Sequence, residues 1–334
     1  MAQADVTRRA TAVDVAREAG VSRATVGFVL NRTAGQTISE STRDRVLDAA
    51  RRLGYRPNSA AVTLRSGRSR LVLLVLPDWP MVTALRGYVE AAESALEERG
   101  YCLVTHTRPA GGPGRPLWES LNPELVYGIT PFGTDDIASM RRCGVLEIFP
   151  DPEDPESVDL SLAVSTGPRL QVEHLHERGC RTLAYVAHRA ARPPFLVDAR
   201  YRAAQERART LGLPPLELVR VDHRDASADR AVRAWRDAGI TGVVGFDDDV
   251  AAVVVGAAVR AGIQVPGDLA VIGHDDTLPA AVFVPSLSTV RIDTEALGRA
   301  FAGMIVQRLE GASRTRLDFP ADSATVVDRE STQR

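Results

Sequence analysis

Apolar residues recur at helical spacing twice before residue 31 and once more soon after it. Ala12 or Val13, Ala16 and Ala19 form the first set, and Val26, Val29 and Leu30 the second, with Gly20-Val21-Ser22 between them. The spacing predicts two short helices. Thr11 caps the first, Gly20 ends it in left-handed backbone, Val21 fills the turn and Ser22 caps the second. Arg23, Ala24 and Gly27 are left facing outward near the start of the second helix. Helices this short bury little surface alone. A third, capped by Ser39, with Val46, Ala49, Ala50 and Leu53 on one face and Gly54 at its end, completes a predicted three-helix unit. Asn58 can then cap a short helix over 59–65, which Gly67 ends.

From residue 70 the period changes. The unbroken apolar run 71–76 is the pattern of a strand buried on both faces, and 82–99 reads as an amphipathic helix ended by Gly100. Strands follow at 101–105, 124–130 and 145–149, with a helix near 134–142. The acidic, proline-rich stretch 150–156 marks a boundary. Beyond it, strands at 182–187, 216–221, 242–246 and 269–272 alternate with helices at 167–178, 197–211, 226–238 and 249–261. A helix at 293–309 and a last strand region at 324–332 close the chain. Two sets of alternating strands and helices imply two doubly wound parallel sheets.

Composition sharpens the division. The chain has 334 residues, 44% hydrophobic and 25% charged, with a formal net charge of −2. Residues 1–70 carry thirteen Arg and six acids, so the front end is strongly basic and the remainder acidic. A basic helical unit ahead of an acidic α/β body points to a polyanion as partner of the front end alone. Cys102, Cys143 and Cys180 are odd in number and widely spaced, which suggests neither a disulfide frame nor a zinc site and fits a reducing cytoplasm. The first ten residues have no apolar core, and the longest apolar runs are too short to span a bilayer.

Asp14-Val15-Ala16, Ala19-Gly20-Val21-Ser22, Thr25-Val26 and Val29-Leu30-Asn31 resemble the DNA-binding headpiece of the lac repressor (LacI/GalR) family. The resemblance continues through Leu53-Gly54-Tyr55-Arg56-Pro57-Asn58 and Leu64-Arg65-Ser66-Gly67-Arg68. Farther on, the segments 172–175, 261–276 and 285–290 resemble its effector-binding and dimerisation domain. The resemblance implies an N-terminal three-helix helix-turn-helix headpiece (1–57), a hinge helix and linker (58–70), and an α/β two-subdomain periplasmic-binding-protein-like core with doubly wound parallel sheets (71–334). The core's halves are expected at about 71–156 plus 291–318 and 157–290 plus 319–334. The implied function is that of a cytoplasmic, homodimeric transcriptional regulator, a repressor, on a near-palindromic double-stranded DNA operator. Ser22, Arg23, Ala24, Thr25, Gly27, Phe28, Asn31, Arg32, Asn58 and Leu64 are the expected DNA contacts. Arg23 and Ala24 face bases, Thr25, Asn31 and Arg32 touch phosphates, and Leu64 wedges into the minor groove. Relatives usually carry a hydroxyl and a basic residue where this chain has Gly27 and Phe28, and Phe28 is left between packing on a thymine methyl and joining the core.

No nucleotide-binding, hydrolase-elbow or zinc-protease motif is found, so no enzymatic activity, metal or cofactor is expected. An effector of the sugar or nucleoside class is implied in the cleft between subdomains, with Trp79, Arg200, Asp248 and Asp275 as its contacts. Asp248 and Asp275 are equally readable as helix caps or ion-pair partners. The loop carrying Trp79 is about three residues shorter than the family's, and the family's clamping Arg is expected at Val197, with Arg200 or Arg192 as substitutes. Both departures favour an alternative, a regulator controlled by a protein partner or by nothing, with a degenerate cleft. A Leu64→Ala variant is expected to lose specific operator binding while keeping its fold, and unchanged operator affinity in a binding titration would refute the hinge assignment.

Overall fold

A computed structural model describes residues 10–30, 37–55, 68–77, 83–108, 115–151, 161–189, 194–311 and 323–333. The chain divides into two compact units, Met1–Ser69 and Arg70–Arg334. The expected helix at 59–65, like Asn31, Arg32, Asn58, Leu64, Trp79 and Arg192, lies outside the described residues.

In the first unit, α1 (Ala12–Ala19), α2 (Arg23–Leu30) and α3 (Glu40–Arg52) enclose a core of Val15, Ala16, Ala19, Val26, Val29, Val46, Ala49 and Ala50. Two details differ from the expected faces. Val15 is fully buried whereas Val13 is exposed, and Leu53 is exposed as the C-cap of α3. Each swap has a local cause. The buried stripe of α1 runs Val15, Ala16 and Ala19, which turns Val13 outward, and Leu53 already sits where the chain leaves the helix.

In the second unit, the strands β1 (Leu71–Pro77), β2 (Cys102–Arg108), β3 (Leu125–Gly128) and β4 (Glu147–Phe149) form one parallel sheet in the order β2-β1-β3-β4. The helices between them are α4 (Thr83–Glu97), α5 (Trp118–Leu121) and α6 (Thr134–Arg142). A second parallel sheet runs β6-β5-β7-β8, built from β5 (Leu183–His188), β6 (Glu217–Val221), β7 (Gly242–Gly245) and β8 (Ala270–Ile272). Its helices are α7 (Ser161–Glu177), α8 (Pro194–Thr210), α9 (Ser227–Ala238), α10 (Asp248–Arg260) and α11 (Leu278–Val282). The central strands β1, β5 and β7 are buried throughout most of their length, which accounts for their unbroken apolar runs. No helix among the described residues is long and apolar enough to cross a membrane.

The chain end ties the two sheets together. β9 (Thr289–Ile292) pairs antiparallel with β10 (Ala324–Val327), and between them α12 (Thr294–Leu309) packs along α4 of the first sheet. Phe301 of α12 meets Tyr127 edge-on, with ring centroids 4.6 Å apart. After β10, Ser331 Oγ donates to Val271 O on β8 at 2.6 Å, and Thr332 Oγ1 lies 2.7 Å from His174 Nε2 on α7. One late segment therefore contacts both halves.

The approach of α12 to α4 requires glycine. A Cβ on Gly298 would stand 2.4 Å from Tyr88 O and 2.9 Å from Ala92 N, whereas one on Gly303 of the same helix would meet nothing within 4 Å. Gly298→Ala is expected to destabilise the fold by about 1–3 kcal/mol through forced separation of the helices. Gly303→Ala is expected to stabilise it by about 0.5–1 kcal/mol through helix propensity alone. Urea denaturation of the two variants beside the parent reads both signs.

Candidate functional site

The outward face of α2 is set by the turn before it. Thr11 and Asp14 form a reciprocal cap on α1, the Asp14 carboxylate accepting from Thr11 N–H at 2.9 Å. Gly20 then turns the chain at φ 65°, a conformation that suits a residue without Cβ. Ser22 Oγ accepts from Thr25 N–H at 3.1 Å and fixes the start of α2. With Val26 and Val29 buried, Ser22, Arg23, Ala24 and Phe28 are exposed and Thr25 and Gly27 half-buried. Phe28, left open by the sequence, is thus on the surface and outside the core. The eight-residue helix presents this exposed face near its start, as a helix that enters a DNA major groove does.

A second cluster forms where β5, β7 and β8 end. Gln171, buried on α7, donates its amide to Gly245 O at 2.8 Å and to Gly273 O at 2.7 Å. The carbonyls that close β7 and β8 are thereby held by one side chain, and the next residues, Phe246-Asp247 and His274-Asp275, leave the sheet together. Asp247 caps α10 by accepting from Val250 N–H at 2.9 Å and lies 3.0 Å from His188 Nε2 at the end of β5. Arg200 of α8 stacks on the Phe246 ring, its guanidinium carbon 4.7 Å from the centroid, and donates to Phe246 O at 2.6 Å. Its other terminal nitrogen lies 3.7 Å from Asp275 Oδ1. Asp275 adopts φ 99°, a backbone conformation that stores strain and that side chains adopt where the surroundings over-determine it.

The electrostatics of this cluster follow from its burial. His274 Nδ1 lies 2.5 Å from Asp275 Oδ1, which can only accept, so the imidazole proton sits on Nδ1. Burial, reinforced by the neighbouring Arg200 guanidinium, pulls the His274 pKa down and keeps the ring neutral. Burial raises the Tyr185 phenol, which therefore remains a donor. Tyr185 Oη, Arg200 Nε and His274 Nε2 are buried polar atoms without a hydrogen-bond partner among the described residues. Donors, acceptors and the Arg200 guanidinium converge here, and no group of His, Cys, Asp and Glu among the described residues is arranged to hold a metal ion.

Of the four expected effector contacts, the structure brings Arg200 and Asp275 together, while Trp79 lies outside the described residues. Asp248 is 1% exposed, and both its oxygens are engaged, Oδ1 by Thr289 Oγ1 at 2.6 Å and Oδ2 by Thr277 N–H at 2.7 Å and Thr277 Oγ1 at 3.0 Å. It joins α10 to β9 and to the loop before α11. The acid beside His188 is instead Asp247, which the sequence offered only as one of three consecutive Asp residues. His188, His274 and Tyr185 were not singled out. Their signal was position alone, at or next to the carboxyl ends of strands.

The Asp248 carboxyl is pushed up to about 6 by burial, against the opposing hydrogen bonds from Thr289 and Thr277. An acid with a folded pKa above its ordinary 3.8 binds more protons folded than unfolded across that interval, so its contribution falls as pH rises from about 4 to about 6. Asp248→Asn is expected to flatten this part of the stability profile, measured as the difference between parent and variant in urea melts across the same pH range. Parallel profiles would show that Asp248 is already ionised at pH 4.

Family models match two segments of the chain. Residues 11–58 match the model described as bacterial regulatory proteins, lacI family, and residues 172–332 match a periplasmic binding protein-like domain. Among curated relatives, the HTH-type transcriptional regulator CelR of Thermobifida fusca is 30% identical over 325 residues, covering 91% of this chain and 93% of that protein. The lactose operon repressor of Escherichia coli is 28% identical over 313 residues, covering 90% and 85%. Among solved structures, the lac repressor dimer bound to operator and an anti-inducer superposes with a TM-score of 0.72 at 22% identity, covering 97% of this chain and 99% of that one. A CelR–cellobiose complex superposes with a TM-score of 0.60 at 25% identity, covering 97% and 100%. With two parallel sheets behind a helix-turn-helix unit and relatives matched along nearly their whole length, the chain belongs to the lacI family of bacterial regulatory proteins and is a sequence-specific DNA-binding transcriptional regulator.

Proposed function

We propose that the protein is a homodimeric repressor whose two headpieces read successive major grooves of a near-palindromic operator, and that a small polyhydroxyl effector of the sugar class controls it. The observation that carries the effector half is the placement of Arg200 between the Phe246 ring and Asp275, with Asp247 and His188 at the neighbouring strand ends. Two carboxylates, a guanidinium, the neutral His274 ring and the His188 imidazole supply the acceptors and donors that hydroxyl groups require, and Phe246 gives Arg200 a fixed orientation. Ser22, Arg23, Ala24, Thr25, Gly27 and Phe28 act at the DNA in this reading, with Asn31, Arg32, Asn58 and Leu64 contributing by resemblance. Relatives named for ribose and lactose operons and the cellobiose complex support the sugar class.

The halves of the core meet, in this reading, at about 156 and again at 291–318, so that closure around a ligand moves one sheet against the other. A second copy is assigned to the face of α10 and α11. There Leu278 is 78% exposed, Val282 68% and Val284 87%, an apolar stretch that a solitary chain leaves in water.

The test begins with selection of bound duplexes from a random library by the full chain at a stated salt concentration, where a near-palindromic site is expected. Thermal melts with a sugar and nucleoside panel follow. A ligand at 100-fold excess over its Kd is expected to stabilise the protein by about 2.7 kcal/mol. Arg200→Ala is expected to abolish that stabilisation while leaving operator affinity without ligand unchanged. Stabilisation by no member of the panel, with the operator intact, would favour the regulator with a degenerate cleft.

A further inference from the structure

Beyond Arg23, the described outward face of α2 offers no hydrogen-bonding side chain at its centre. Ala24 and Phe28 are four residues apart and therefore adjoin on the helix surface, and Gly27 between them adds no side chain. Thr25 is half-buried, and its hydroxyl is engaged 2.9 Å from Ser22 Oγ at the start of the helix. Phe28 is 36% exposed and takes no part in the headpiece core, which Leu30, Ile38 and Tyr55 complete from other directions. An aromatic ring held at the surface beside an alanine methyl forms a small apolar patch next to one guanidinium.

The chemistry of the major groove limits what such a patch can read. Guanine, adenine and cytosine carry no methyl there, whereas thymine adds an apolar C5-methyl. Against a purely polar edge, Phe28 would strip water from donors and acceptors and give nothing in return. Against a methyl it buries apolar surface on both sides. Arg23, at the border of the patch, supplies the fork that suits guanine O6 and N7.

Building on the operator reading above, we propose that Phe28, supported by Ala24, is a specificity-determining residue that reads the C5-methyl of one pyrimidine in each operator half-site. Two bases carry that group, thymine and 5-methylcytosine. Sequence preference at this position is then apolar in origin, and Arg23 carries the hydrogen-bonded part of base recognition on this face.

The test uses the duplex selected by the full chain. Each thymine is replaced in turn by deoxyuridine, which removes the methyl and leaves every hydrogen-bonding group in place. Loss of about fourfold in affinity is expected at one symmetry-related position per half-site, the equivalent of about 0.8 kcal/mol for one buried methyl. Phe28→Ala, at an exposed position, is expected to keep its melting temperature and to bind the thymine and uracil duplexes alike. Changing the sensitive pair to cytosine·guanine is expected to weaken binding. Recovery on 5-methylation of that cytosine would show that either source of the methyl serves, and no recovery would assign thymine alone. Uracil tolerated at every position by the unmodified protein, or a uracil penalty retained in Phe28→Ala, would overturn the inference while leaving the operator reading intact. Selection of no site at all would overturn both.

Discussion

The two acids at the strand ends, Asp247 and Asp275, are placed by one buried amide. Gln171 donates to the carbonyls of Gly245 and Gly273, the residues at which β7 and β8 give way to loops. Parallel strands end with carbonyls that no further ladder satisfies, and a buried carbonyl without a donor costs stability. By filling that requirement on both strands at once, Gln171 couples their ends. The spacing from Phe246-Asp247 to His274-Asp275 is consequently a property of the sheet and of α7, and the loops inherit it. A polar cluster on loops gains the rigidity of the scaffold in this way.

A parallel constraint acts one residue later. Asp248 accepts from Thr277 and Thr289, so the start of α10, the approach to α11 and the first residue of β9 share one buried carboxyl. β9 leads within two residues into α12, which lies against α4 of the first sheet so closely that Gly298 cannot carry a Cβ without displacing it. A displacement at the ends of β7 and β8 therefore has a packed, contiguous route to the first sheet. Helices packed this closely have little room to deform independently. The contiguity is spatial, and its energetic coupling follows only where a ligand binds two arrangements with different affinity.

The sequence is legible where local chemistry determines the outcome. Thr11, Ser22 and Ser39 cap the three headpiece helices, Gly20 turns at positive φ, and the strands of both sheets fall within a few residues of their apolar runs. Tertiary packing decided the rest. The helix expected at 167–178 begins at Ser161 in the structure and runs through Gly167-Pro168 as α7. Gly167 is required because the His274 ring fills the space of its Cβ, at 2.1 Å from Nε2. In the run Asp247-Asp248-Asp249 the three side chains leave the backbone in different directions. Asp247, still extended at φ −148° and ψ 177°, caps the helix and reaches His188, while Asp248, already helical, turns into the protein. Composition and spacing carry no information on a one-residue difference of that kind. Val13 and Val15 repeat the lesson on α1, where two valines two residues apart lie on different faces and only the packed core selects between them.

Charge is distributed so that the two units do different work. The first seventy residues hold thirteen Arg and six acids, while the remaining chain is acidic. Phosphate attraction, which is long-ranged and blind to sequence, belongs to the headpiece, and the acidic body is repelled from the duplex. On the described recognition face itself the charge falls to a single guanidinium, Arg23, flanked by Ala24, Gly27 and Phe28. In the proposed reading, affinity and discrimination come from separate surfaces of one small unit, the arginines elsewhere holding DNA and this face sorting it. A regulator divided in this way needs only modest coupling between ligand and DNA. Under the proposed effector control, a coupling of about 1–3 kcal/mol would change operator affinity roughly 5–150-fold.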